Sequence, residues 1–163
     1  MPAIFEYRLR VTPDAIDALG HANNTVYLQW MEAAAIAHST AQGWSTQQYL
    51  DRGVAWIARS HSIEYRRPAW LDDEIVVRTW VEDMQRVSSR RQYRIERLLG
   101  RSAPHDEVGT PPQRSGAQRE LLARAETRWV LIDLEKRRPI RIPPDIVSSF
   151  ELVDSPAPPP PTL

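Results

Sequence analysis

The sequence contains no cysteine among its 163 residues, and this absence removes several classes of chemistry. Disulfide bonds, thiol nucleophiles and cysteine-ligated metals are all excluded. The histidines at positions 21, 38, 61 and 105 do not show the spacing of metal ligands, so no metal site is expected. We therefore expect an activity that uses neither a thiol nor a bound metal.

Long apolar runs and an excess of one charge are also missing. No stretch approaches the roughly 18 consecutive apolar residues that suggest a membrane-spanning helix. The N-terminal MPAIFEYRLRV lacks the apolar core of a signal peptide, so we expect a cytoplasmic protein that does not bind membranes. Lys plus Arg and Asp plus Glu both number 21, so the overall charge gives no preference for nucleic acid.

The residues that are present suit one globular domain. Apolar residues make up 42% of the chain and charged residues 26%, as in ordinary globular proteins. We assign residues 1–153 to this domain, with a flexible hairpin loop at about 100–118. The proline-rich segment 154–163 is predicted to be a disordered tail.

A long buried helix is the central element predicted for the domain. Apolar residues recur at three- and four-residue steps from Tyr27 to Ala41, which is the helical period. We expect a helix from Asn24 to Gln42, about 28 Å long, with Asn24 as its N-cap. Gly43 then suits a left-handed C-terminal cap. Because this helix is apolar on most sides, the rest of the chain should wrap around it.

Five segments alternate polar and apolar residues with the period of two that marks a half-buried strand. They span residues 4–11, 55–65, 74–83, 87–98 and 121–133. Short helical segments are expected at 44–53 and 144–150. The predicted order is β–α–β–β–β–β.

Polar residues with catalytic potential lie close together just before the predicted helix: Asp17, Gly20, His21 and Asn23. Exposed backbone N–H groups and the positive end of the helix dipole favour an anion there, and would stabilise an oxyanion. The Asp17 carboxylate could then act as nucleophile or general base on an electrophilic carbonyl such as a thioester. In a plainer interpretation, Asp17 only shapes a turn and Asn24 only caps the helix.

Three segments carry a family resemblance. They are Asp17-x-x-Gly20-His21-x-Asn23-Asn24-x-x-Tyr27-x-x-Trp30-x-Glu32, residues 63–74 (IEYRRPAWLDDE) and residues 139–143 (PIRIP). Through them the chain resembles the hotdog-fold acyl thioesterases of the 4-hydroxybenzoyl-CoA thioesterase group. The resemblance covers about residues 4–150.

This resemblance implies an α+β hotdog fold, in which an antiparallel sheet wraps around one long central helix and subunits join into a homodimer or homotetramer. It also implies hydrolysis of acyl-CoA or aroyl-CoA to a free acid and CoA, without a further cofactor. Asp17 would be the nucleophile or general base, and a backbone N–H at the helix start would polarise the carbonyl. Gly20, His21 and Asn23 would complete the catalytic loop, with His21 ordering it.

A further set of residues would bind the substrate, chiefly the phosphates of CoA. Guanidinium groups match the geometry of phosphate, and arginines cluster near the fourth strand and after the fifth. Equally, this cluster could be a solvated edge that discourages sheet aggregation. The predicted substrate-binding residues are Tyr27, Arg86, Ser88, Ser89, Arg90, Arg137 and Arg138.

Two other functions fit the same residues. An acyl-carrier-protein thioesterase would use the arginines against an acidic protein surface, although Leu19 stands where the plant enzymes have the asparagine of an Asp-x-Asn-x-His signature. A non-catalytic acyl-CoA-binding module would keep the fold without turnover. Trp44, Trp56 and Trp70, all near the predicted site, are compatible with an aromatic acyl group.

Overall fold

The computed structural model describes residues 3–100 and 118–154, so most of the predicted 100–118 loop and the 154–163 tail lie outside the described residues. The strands are β1 (Phe5–Arg10), β2 (Val54–Tyr65), β3 (Glu74–Met84), β4 (Ser88–Leu98), β5 (Arg119–Asp133) and β6 (Arg138–Pro139). The helices are α1 (Asn24–Ala41), α2 (Thr46–Asp51) and α3 (Pro144–Ser148). The strand and helix predictions are confirmed to within about two residues at most ends. None of the helices in these ranges has the length and apolar character that crossing a membrane requires.

The strands form one antiparallel sheet in the order β1-β3-β4-β5-β2, with the short β6 paired to β5. One face of the sheet packs against α1 through small and branched side chains such as Val77, Ile95 and Ala123. A single long helix held by an antiparallel sheet is the arrangement of the hotdog fold, so the predicted fold class is confirmed. The strand β2 forms one free edge of this sheet.

The N-cap of α1 lies one residue earlier than expected. Asn23, not Asn24, is the N-cap, because its backbone is extended and its Oδ1 accepts a hydrogen bond from the Thr25 N–H at 2.9 Å. Gly43 has a φ of +94° and, as predicted, follows the helix in a left-handed conformation that glycine adopts without strain. Sequence alone could not separate two neighbouring asparagines that cap equally well.

Only one face of α1 is buried in the single chain, contrary to the expectation of a helix covered on most sides. The buried residues recur at helical spacing, and Ala34 and Met31 are almost inaccessible. Ile36 on another face is 47% exposed. Part of the apolar surface of α1 is therefore open in the single chain.

His38 is a buried histidine on α1 that contacts the sheet. Its ring stacks on Phe5 with centroids 5.3 Å apart, and its Nδ1 lies 2.9 Å from Nη1 of Arg91. Burial, assisted by the charge of Arg91, lowers the pKa of His38 from 6.5 to about 4. Nδ1 therefore accepts a hydrogen bond from the guanidinium, and the neutral imidazole is the form that the fold selects.

We expect this histidine to make the protein less stable as the pH falls from about 6.5 to about 4. In that window the unfolded chain binds a proton at His38 that the folded chain does not, so protonation favours unfolding. The loss approaches about 3 kcal/mol, since one pKa unit corresponds to about 1.4 kcal/mol. Urea unfolding across this range measures it. His38→Gln supplies an amide oxygen that can accept the hydrogen bond from Arg91, and its stability should depend less steeply on pH. Parallel plots of unfolding free energy against pH for the two proteins would refute the assignment.

Candidate active site

The residues before α1 form a tight loop held by its own backbone. The Asp17 N–H donates to the carbonyl oxygen of His21 at 3.0 Å, and the Gly20 N–H donates to that of Asp17 at 3.0 Å. Gly20 has a φ of +84°, which explains why glycine occupies this position. The Ala22 N–H donates to the Ala69 carbonyl oxygen at 2.9 Å and so ties the loop to the segment between β2 and β3. The loop is therefore a preformed element.

The Asp17 carboxylate is half-buried in this loop. Its Oδ1 accepts a hydrogen bond from the Leu19 N–H at 2.8 Å, which is the turn-shaping role considered from the sequence. Its Oδ2 forms no hydrogen bond with any residue in the described part of the chain. Oδ1 thus fixes the carboxylate in the loop, and Oδ2 remains free to interact with a reacting group.

Backbone donors near this carboxylate are few, because most N–H groups of the loop are used internally. Gly20 donates within the turn, and the Asn23 N–H donates to the Ala15 carbonyl oxygen at 2.8 Å. The N–H groups of His21 and Asn24 have no hydrogen-bond partner within residues 3–100 and 118–154. The N–H groups of Gly20 and Asn23 therefore shape the site, while those of His21 and Asn24, like that of Ala18 in the same described loop, are available for an oxyanion.

A first pocket, here called the loop pocket, lies beside these donors and has a volume of about 260 Å³. Tyr65 at the end of β2 closes one side, and its Oη donates to the Asn24 carbonyl oxygen at 2.9 Å. Tyr27, predicted to bind substrate, is only 2% exposed, but its ring meets Tyr65 edge-on and lines the pocket. Arg66 and Arg67 also line it and were not predicted as site residues, although they stand in the quoted 63–74 segment.

His21 also lines the loop pocket without a strong polar partner. Its Nδ1 lies 3.3 Å from the Ala22 carbonyl oxygen, and its ring meets Trp70 edge-on at 5.9 Å. These contacts agree with a loop-ordering role for its side chain. Trp70 is thus near the loop, as expected.

A second pocket, here called the aromatic pocket, lies along the other half of α1 and has a volume of about 200 Å³. Glu32, Ile36 and Ser39 line it from the helix. Its other walls come from the sheet and from α2, and include Trp44, Trp56, Trp129, Ser89 and Arg91. Two of the tryptophans expected near an acyl group therefore share one cavity.

The two pockets share no lining residue, and Asp17 lines neither of them. On α1 their nearest lining residues, Tyr27 and Glu32, stand five residues apart, which is about 7.5 Å of helix rise. On β2 they are farther apart, since Trp56 lines the aromatic pocket and Tyr65 lines the loop pocket.

The residues predicted to bind CoA phosphates are divided by the structure. Ser89 faces inward and lines the aromatic pocket, whereas Arg90 faces outward and forms an ion pair with Asp83 at 2.9 Å. Because Arg90 also pairs with Glu82 at 2.9 Å, its charge is already compensated. The remaining members lie towards one end of the sheet: half-buried Ser88, and exposed Arg86, Arg137 and Arg138.

Comparisons with known proteins agree with this architecture. A family model described as the Thioesterase-like superfamily matches residues 11–150. The acyl-CoA thioester hydrolase YbgC of Escherichia coli O157:H7 is 26% identical over 148 residues, which cover 91% of this chain and 96% of the relative.

Solved structures show the same fold. The 1,4-dihydroxy-2-naphthoyl-CoA thioesterase of Synechocystis matches with a TM-score of 0.72 and 22% identity, over 90% of this chain and 95% of that one. An Asp-to-Asn variant of 4-hydroxybenzoyl-CoA thioesterase bound to 4-hydroxybenzoyl-CoA gives a TM-score of 0.75 and 20% identity, over 92% and 100%.

Proposed function

The chain belongs to the Thioesterase-like superfamily, and on that premise we propose that it hydrolyses acyl-CoA thioesters to a free acid and CoA. The observation that carries this proposal is that residues 17–24 hold both a carboxylate oxygen, Oδ2 of Asp17, and the N–H groups of His21 and Asn24 without partners among the described residues. The names of the relatives, which include acyl-CoA and aroyl-CoA thioesterases, support the same substrate class.

The proposed reaction uses the loop and the start of α1 together. The thioester carbonyl oxygen accepts hydrogen bonds from the N–H groups of His21 and Asn24, where the helix dipole favours the developing negative charge. Asp17 either attacks the carbonyl carbon or takes a proton from the water that attacks it. The carbon–sulfur bond then breaks, and the CoA thiolate leaves and takes up a proton. Where Asp17 is the nucleophile, water then hydrolyses the mixed anhydride, which frees the acid and restores the carboxylate.

We propose that the working unit is a dimer joined through β2. From Ile57 to Ser62 this edge strand is exposed, although such an edge presents unpaired N–H and C=O groups. Antiparallel pairing of two copies of β2 would place the start of one strand beside the end of the other. The aromatic pocket of one subunit would then adjoin the loop pocket and Asp17 of its partner.

In the same arrangement, Arg86, Arg137 and Arg138 bind the phosphates of CoA. They lie towards the end of the sheet where β2 starts, since β6 pairs with Asp133, which also pairs with Val54. These arginines have no ion-pair partner within 4 Å among the described residues, in contrast to Arg90. Free guanidinium groups at the rim suit phosphates.

The test compares acyl-CoA with acyl-pantetheine, using release of the free thiol as the assay. We expect turnover of acyl-CoA, and a rise in KM with little change in kcat when Arg137 and Arg138 are replaced by alanine. Phosphates far from the carbonyl are held equally in the ground and transition states, so only KM responds. For exposed groups each loss is about 1 kcal/mol, or roughly fivefold. Arg8→Ala, an exposed arginine on β1, is the control.

Each alternative function gives its own outcome in this assay. Equal kcat/KM for acyl-pantetheine and acyl-CoA would show that the arginines are not a CoA site, and would favour an acyl-carrier-protein substrate. Tight binding of acyl-CoA without release of thiol from any member of an acyl panel would identify a binding module. Either result contradicts the proposal.

A further inference from the structure

The aromatic pocket contains a buried arginine that lacks an anionic partner. Arg91 lies on the inner face of β4 and is 6% exposed. Its Nη1 donates to Nδ1 of His38 at 2.9 Å and to Oγ1 of Thr79 at 3.2 Å. In the described part of the chain, no Asp or Glu oxygen lies within 4 Å of its guanidinium. Glu32 lines the same pocket but is exposed and forms no such ion pair.

Other arginines of the sheet that are less deeply buried do have counter-ions. Arg90, the residue before it, is half-buried and still pairs with Asp83. Arg97 likewise pairs with Asp73 at 2.9 Å, and Arg119 pairs with Glu6 at 2.7 Å. Burial of a charge is costly unless the charge is paired, so a neutral imidazole and a hydroxyl leave Arg91 uncompensated.

The neighbours of Arg91 offer further donors to the same cavity. The Trp129 Nε1 is buried without a well-formed hydrogen bond among the described residues, although the Tyr93 hydroxyl is near enough to interact with it, and Trp129 lines the pocket. It stands on β5 directly opposite Ser89, two residues before Arg91 on the neighbouring strand. Because the pKa of His38 is lowered to about 4 by burial and by Arg91, this histidine stays neutral, and its Nδ1 accepts the hydrogen bond from Arg91. The cavity therefore combines a cation with the N–H of a buried indole.

We propose that Arg91 binds an anionic group at the far end of the acyl chain, so that the substrates are CoA thioesters of short dicarboxylic acids. This inference rests on the proposed thioesterase function and on the aromatic pocket as its acyl site. A carboxylate is the planar anion that a guanidinium binds with two parallel hydrogen bonds. Trp44, Trp56 and Val81 supply apolar walls for the intervening carbons. The volume of about 200 Å³ limits the chain to a short one.

The experiment compares acyl-CoA pairs that differ only at the far end. Glutaryl-CoA is set against pentanoyl-CoA, and 4-carboxybenzoyl-CoA against 4-methylbenzoyl-CoA. For the wild type we expect kcat/KM to be at least 30-fold higher for the carboxylate of each pair. Arg91→Met should bring that ratio to one or below. Arg91→Lys keeps the charge but cannot form the two parallel hydrogen bonds of a guanidinium, so it should retain part of the preference for the carboxylate.

Arg94→Met is the matched control, because Arg94 is on the same strand but on the opposite face, with its guanidinium over the Trp80 ring. It should leave the ratio unchanged. Should Arg91→Met not fold, the wild-type ratio and Arg91→Lys still decide the question.

Three results would overturn the inference while leaving the thioesterase intact. They are a wild-type ratio near one, a ratio that survives Arg91→Met, and equal rates for 5-hydroxypentanoyl-CoA and glutaryl-CoA, which would mean that the pocket selects an acceptor and not a charge. If no acyl-CoA is hydrolysed, the proposed function fails by itself. Calorimetric binding of glutaryl-CoA and pentanoyl-CoA to wild type and Arg91→Met then tests the preference of Arg91 for a carboxylate without turnover.

Discussion

Replacing Asp17 by asparagine is expected to lower the rate of acyl-CoA hydrolysis by a hundredfold or more without loss of the fold. Asparagine keeps an Oδ1 that can accept the hydrogen bond from the Leu19 N–H, so the turn that fixes the side chain is retained. It lacks the charge and basicity that attack on a thioester or activation of water requires, and such a positioned group contributes roughly 10²- to 10⁴-fold. Steady-state release of free thiol measures kcat, and calorimetric titration with CoA measures binding.

Asp14→Asn is the matched control for this substitution. Asp14 lies three residues earlier in the same segment, is exposed, and accepts a hydrogen bond from the Thr12 hydroxyl. It should leave kcat within about twofold, as is usual for exposed polar positions. If Asp17→Asn hydrolyses acyl-CoA at nearly the wild-type rate, the carboxylate is only a turn residue and the proposed mechanism is wrong.

The loop illustrates which parts of a site a sequence can define. The spacing from Asp17 to Asn24 locates the carboxylate and the helix start, because turn-forming and capping residues act over short distances. It does not identify the oxyanion donors. Which N–H groups stay free depends on contacts such as that between Ala22 and Ala69, which are 47 residues apart in the chain. The structure assigns internal roles to Gly20 and Asn23 and leaves the N–H groups of His21 and Asn24 available.

The strands illustrate the same limit for the acyl pocket. Alternation in β4 places Tyr93 and Ile95 on one face, and the same parity places Ser89 and Arg91 beside them. Residue type alone suggests an exposed charge at Arg91 and groups it with the basic residues that would meet CoA. The sequence does show an arginine at an inward-facing position of a strand. Only the structure shows that no carboxylate of the described residues pairs with it.

The second large effect is expected at the free edge of β2. Successive N–H groups of a strand point to opposite sides. One of the two substitutions Ser60→Pro and His61→Pro therefore removes an N–H that faces away from the sheet, and the other removes a hydrogen bond to β5. If two β2 edges pair, the variant that loses the outward N–H should be a folded monomer at micromolar concentration with at least a hundredfold lower activity. The variant that loses the hydrogen bond to β5 should mainly lose stability. Sedimentation velocity, thermal unfolding and the thiol assay separate these effects.

Such a loss of activity would follow from the division of the site between two chains. In a monomer, Asp17 and the loop pocket would still be intact, but the partner's aromatic pocket, which receives the acyl group in the proposed dimer, would be missing. A substrate with a very short acyl group should therefore suffer less than one that fills the pocket, since it gains less from the partner. Full activity in a wild-type monomer, or equal losses for acetyl-CoA and glutaryl-CoA, would contradict a site built from both subunits.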